Sequence, residues 1–126
     1  MADLSPSDHL NIAREHLRRV QVAWYDPVDW ADLSNYGLYA LESAVVAAAK
    51  ATGIEVRATH WAKADAASEL AQRHELEDVS DLMGRLNEAR KAANYGDVEA
   101  PELNAEDVAS QIEGYVEAVA RLLSEP

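Results

Sequence analysis

Between about Val28–Asp32 and Ala51 the chain carries a helix-length stretch that is apolar on most faces: Trp30, Leu33, Tyr36, Leu38, Leu41, Val45 and Val46, with alanines between them. A helix of that kind is central and needs neighbours on several sides, so it forces a bundle to form around it. Gly37, Ala40, Ala44, Ala47 and Ala48 are small enough to let those neighbours come close. Gly53 is a suitable stop, because glycine adopts the left-handed turn that ends helices. Glu42 interrupts this apolar surface and needs a partner, for which Arg90 is the nominee. Tyr36 and Tyr39 either line a pocket or fill the core with their hydroxyls satisfied.

The flanking segments supply the neighbours. Ser5-Pro6-Ser7-Asp8 reads as a capped helix start, and Leu10, Ala13, Leu17, Val20 and Trp24 repeat at helical steps before Tyr25-Asp26-Pro27. Ile54-Glu55-Val56-Arg57 is a short extended link with nothing to pair with as a sheet. Thr59 caps a third helix from about His60 to Arg73, with Trp61, Ala64, Ala67, Leu70 and Ala71 along it. Asp78 caps a fourth, whose stripe is Leu82, Leu86, Ala89 and Ala93 and whose stop is Gly96. After a loop containing Pro101, Asn104 and Asp107 open a fifth, with Val108, Ile112, Tyr115, Val119 and Leu122 on one face and Gly114 as a mild weakness. The expected fold is a single all-α domain over 1–126, an up-and-down bundle of four to five helices with residues 1–4 and 124–126 loose. Trp24, Leu41, Val45, Leu86, Ile112 and Val119 are expected in its core.

Composition narrows the chemistry. Cysteine is absent, which removes disulfides and thiolate chemistry and suits a reducing cytoplasm. No secretory signal region is evident, and no apolar run approaches the roughly 20 residues of a membrane helix. The expectation is a cytoplasmic protein with no membrane partner. Eleven Lys and Arg against 23 Asp and Glu give a formal charge of −12, so nucleic acid would need a local basic patch. Arg14, Arg18 and Arg19 form one candidate patch, and Arg85, Arg90 and Lys91 another; ordinary surface ion pairing is the simpler reading of the first. His9, His16, His60 and His74 are scattered in sequence without Glu-x-x-His or His-Glu-x-x-His spacing, so neither a metal nor a cofactor is expected. Glycine-rich phosphate loops and Gly-x-Ser-x-Gly elbows are missing as well.

What remains is the end of the fourth helix. Arg90 borders the apolar stripe beside Met83, and Asn94 sits one turn on. An arginine near an asparagine and a tyrosine can grip a phosphate and orient a sugar or base. RNA cleavage would also need groups to take and give a proton, and Lys91 or Tyr95 could do so only with strongly lowered pKa values.

Three pieces of the chain together resemble the HEPN domain, a small helical bundle often encoded beside minimal nucleotidyltransferases. Asn35-Tyr36-Gly37-Leu38-Tyr39-Ala40-Leu41-Glu42-Ser43-Ala44 resembles its aromatic and alanine-rich central helix, and Thr59-His60-Trp61 the start of its third helix. Arg90-Lys91-Ala92-Ala93-Asn94-Tyr95-Gly96-Asp97 is similar to the Arg-x-x-Ala-Asp-Tyr-Gly ending of one prokaryotic branch. The resemblance spans about residues 10 to 123. It implies a homodimer that pairs two such motifs through the second and fourth helices. It also implies a nucleotidyltransferase-type partner in a toxin–antitoxin type system, and nucleotide or RNA as ligand. Arg90 matches the arginine of the nuclease members, while Tyr95 stands at their histidine and Lys91 where Asn, Asp or His is usual. Three readings stay open. One is a binding module using Arg90, Lys91, Asn94, Tyr95, Tyr36, Tyr39 and Glu42. The second is a metal-independent ribonuclease with Arg90 and Tyr95 as catalytic residues. The third is a non-catalytic helical adaptor.

Overall fold

Ser5 starts the first helix as its sequence suggests. Its hydroxyl accepts the Asp8 backbone N–H at 3.1 Å while the Asp8 carboxylate accepts the Ser5 N–H at 2.9 Å, a reciprocal capping box. The computed structural model describes residues 4–25, 27–96 and 101–125. Five helices follow one another: α1 Pro6–Ala23, α2 Trp30–Thr52, α3 His60–His74, α4 Ser80–Tyr95 and α5 Ala105–Ser124. The described residues contain no strand, so the fold is an all-α bundle. None of their helices is long and apolar enough to cross a membrane.

The caps are local, and most lie where the sequence puts them. Asp29, Thr59 and Asn104 each accept the backbone N–H three residues on, and Gly53 and Gly96 close α2 and α4 in the left-handed conformation. The start of α4 differs by one residue. Val79 occupies the cap position with its side chain buried in the core, while Asp78 supplies the acceptor, taking the Ser80 N–H at 3.0 Å and its hydroxyl at 2.6 Å. The tail also differs from expectation: Ser124 still belongs to α5, its hydroxyl bonded to the Arg121 carbonyl at 2.9 Å. Leu4, expected to be loose, has its carbonyl held by Lys50 Nζ at 2.8 Å; residues 1–3 and 126 lie outside the described residues.

The second helix is the hub. It packs against all four of the others, as its nearly continuous apolar surface requires. His16 of α1 meets Tyr36 and Tyr39, and Lys50 meets Leu4, so α1 and α2 form an antiparallel pair. Trp30 lies beside the end of α4 while Gly37 touches Leu86, so α4 also runs against α2. The extended link before α3 brings the chain back along α2, and α3 begins level with Glu42, midway down that helix.

Leu41, Val45, Leu86, Ile112 and Val119 are fully buried, each contributing about 1.5–3 kcal/mol of transfer free energy. Trp24 is only half-buried, because it caps the end of α1 and its ring tilts onto Tyr25 at 5.2 Å. Two further members of the expected stripes face water. Trp61 is 77% exposed on α3, and Ala93 is exposed where α4 runs past its packing partners.

Candidate functional site

The residues nominated from the sequence fall into two separate places. At the end of α4, Arg90 is half-buried and its Nη2 donates to Asn87 Oδ1 at 2.8 Å, one turn back on the same helix. Its Nε is shielded from water and has no partner among the described residues. Lys91 is half-buried, Asn94 is exposed and Tyr95 is 71% exposed. No hydrogen bond joins Arg90 to Tyr95 among the described residues, and Asp97 of the same motif lies outside them. A cavity of about 770 Å³ adjoins this helix end, lined by Trp30, Ala89, Ala92, Ala93, Gly96 and Leu103 among others. None of Arg90, Lys91, Asn94 and Tyr95 lines it, and no Lys, Arg or His side chain among the described residues does.

Glu42 does not pair with Arg90. Its Oε2 accepts from His60 Nδ1, and Lys63 Nζ lies 3.7 Å from its Oε1. The reason is rotational. At about 100° per residue, Glu42 is turned about 140° around α2 from Gly37, the position that meets Leu86 of α4. It therefore faces α3, whose first turn supplies both partners, His60 and Lys63. A carboxylate only 4% exposed requires such partners.

Around this pair lies a cleft of about 460 Å³ between α1, α2, the link and α3. His9 and His16, seven residues apart on one face of α1, form one wall. Tyr39, Glu42 and Lys50 come from α2, Arg57 from the link, and His60 and Lys63 from α3. Three histidines that look scattered along the chain thus converge. The signal was present in part, since residues seven apart share a helix face, and Tyr36, Tyr39, Ser43, Val46 and Lys50 fall along one side of α2. What periodicity could not reveal is the return of the link, which carries Arg57 and His60 to that side.

A second hollow of about 340 Å³ continues from the first, sharing His16. Tyr36, with the Arg19 guanidinium 5.5 Å above its ring, lines this part. His16 sits between the two tyrosines, its ring centroid 5.9 Å from Tyr36 and 5.7 Å from Tyr39. Five of the eleven Lys and Arg residues, Arg18, Arg19, Lys50, Arg57 and Lys63, line the two hollows. Of the Asp and Glu side chains among the described residues only Glu15 and Glu42 do. Arg14, Arg18 and Arg19 make no ion pair among the described residues, in contrast to Arg73 with Glu69 and Arg85 with Asp81.

Burial lowers the pKa of both wall histidines, with Lys50 reinforcing the effect at His9, so both are held neutral at pH 7. No group of three or more His, Asp and Glu side chains among the described residues is arranged to hold a metal ion. The chain matches no family model, no curated protein and no solved structure.

Proposed function

We propose that this protein is a HEPN-like binding module that takes a nucleotide, or a nucleotide end of RNA, in the cleft between α1, α2 and α3. One observation carries the reading: a chain of charge −12 gathers Lys50, Arg57 and Lys63, beside three histidines, around a cleft whose one carboxylate among the described residues is Glu42. Such a local reversal of sign concentrates anions where the rest of the surface repels them. Tyr39 offers an apolar ring beside those cations, which suits a base next to a phosphate. Lys63 is already engaged by Glu42 and Lys50 by Leu4, so Arg57 on the exposed link is the cation best able to reorient toward a ligand. From the resemblance come a nucleotidyltransferase-type partner, a toxin–antitoxin context and a homodimer through the region that carries α2 and α4; the absence of cysteine suits a cytoplasmic setting. The ribonuclease reading, with Arg90 and Tyr95 as catalytic residues, rests on the resemblance alone.

The test is calorimetric titration of the intact protein with nucleoside monophosphates and triphosphates, paired with melting curves. A bound nucleotide raises the melting temperature by mass action. Arg57→Glu should weaken binding about tenfold or more, a loss of about 1.4 kcal/mol, without lowering the melting temperature of the free protein. Equal affinity of wild type and Arg57→Glu, or no heat and no melting shift with any nucleotide, would overturn the assignment.

A further inference from the structure

Resting on the reading of the cleft as an anion site, we propose that His60 is a phosphoryl-acceptor site, with Nε2 as the attacking atom. The Glu42 carboxylate can only accept, so the bond it makes to His60 Nδ1 places the ring proton on that nitrogen. Nε2 is left with its lone pair. The carboxylate anchoring the ring is 5% exposed, whereas the His60 side chain is 45% exposed and lines the cleft. The ring thus spans from a buried anchor to open solvent. Compensating the charge of Glu42 does not by itself require this arrangement, because Lys63 stands 3.7 Å from the other carboxylate oxygen.

Transfer from an acyl phosphate balances without any further reactant. The Nε2 lone pair attacks phosphorus, the N–P bond forms, and the P–O bond to the acyl group breaks. The carboxylate leaves with the electron pair. The Nδ1 proton stays where it is, and Glu42 offsets the positive charge that grows on the ring. The transferred group arrives beside Lys63 and within the cleft that Lys50 and Arg57 share, where its negative charges are neutralised. The other wall histidines are unsuited to this chemistry. His9 Nε2 is shielded from water, and His16 is held between two tyrosine rings. His74, at the far end of α3, lies outside the cleft and serves as an internal reference.

The experiment incubates the full chain with acetyl phosphate and follows the intact mass and the labelled peptides. One acid-labile, alkali-stable phosphoryl adduct on His60, formed at least about tenfold faster than on His74, is the expected result. Glutamine at position 60 keeps an N–H toward Glu42, so His60→Gln should fold normally and lose the adduct. Glu42→Gln should slow labelling about tenfold, because it removes the charge that supports the ring. Labelling of His74 at the same rate as His60, or an undiminished adduct in His60→Gln, would overturn the proposal. Nucleotide titration of the same samples separates the two claims. Absent labelling with retained nucleotide binding sinks the acceptor alone, and labelling without nucleotide binding sinks the nucleotide reading alone.

Discussion

A β-carbon on Gly37 would lie 2.9 Å from Ile112 Cδ1 and 3.5 Å from Leu86 Cδ1, so α2 meets α4 and α5 at a point with no room for a side chain longer than a methyl group. Gly37→Leu should therefore cost about 1–3 kcal/mol through overpacking. Gly37→Ala should be close to neutral, since the Ile112 methyl is the free end of a side chain and alanine recovers about 1 kcal/mol of helix propensity. Urea denaturation of the two variants checks both; equal stability would mean the crossing is looser than described.

Glu42 and Arg90 should respond very differently to loss of their partners. Replacing both partners, as in His60→Ala with Lys63→Met, leaves a buried carboxylate unpaired and should cost about 3–5 kcal/mol. Arg90→Ala removes a hydrogen bond within a single helix and should cost only about 0.5–1.5 kcal/mol. Denaturation midpoints that put Arg90→Ala below the double variant would contradict this assignment of partners.

Tyr115 is fully buried on α5, yet its hydroxyl has no hydrogen-bond partner among the described residues, and burial drives its pKa far above the ordinary value. Tyr115→Phe removes a polar atom that gains nothing from folding and should be neutral or stabilising by up to about 1 kcal/mol. A loss of stability larger than that would reveal a bound water or partner at the hydroxyl.

The depressed pKa values of His9 and His16 set a pH dependence with a definite sign. Unfolding exposes both rings and restores the ordinary 6.5, so the unfolded chain binds more protons as pH falls below that value. Their contribution is complete above pH 6.5 and is lost as pH falls through the lowered folded values. Asp8 and Asp78, held below the ordinary 3.8 by bonds from Ser5 and Ser80, act in a separate and more acidic window. Denaturation at a series of pH values should show the first loss, and His16→Gln should flatten it; an unchanged slope would refute the linkage.

The fold was legible because its signals are local. Ser5, Thr59, Asn104, Gly53 and Gly96 act within four residues of where they stand, and the apolar surface of α2 announces that it has many neighbours. Partners across helices were not legible. Periodicity fixes which residues share a face but not which helix that face meets, so it points Glu42 to Arg90 when its partners are His60 and Lys63. Tyr36, Tyr39 and Glu42 do border the cationic hollows, whereas Arg90, Lys91, Asn94 and Tyr95 stand elsewhere.

The position of α2 also governs how the chain can come apart. Among the described helices α3 contacts only α2 and α4, and α4 and α5 make no direct backbone approach to each other. Withdrawing α2 would leave α1 with α5 and α3 with α4, two pairs linked only through side chains such as Gln111, whose Nε2 donates to Glu77 Oε1 at 3.0 Å. Partial opening can therefore begin at α3, but the loss of α2 removes four of the six helix–helix seams at once, and amide exchange along α2 should proceed only through global unfolding. For the same reason α2 must dock early on the folding path, and core substitutions along it should slow refolding more than they speed unfolding.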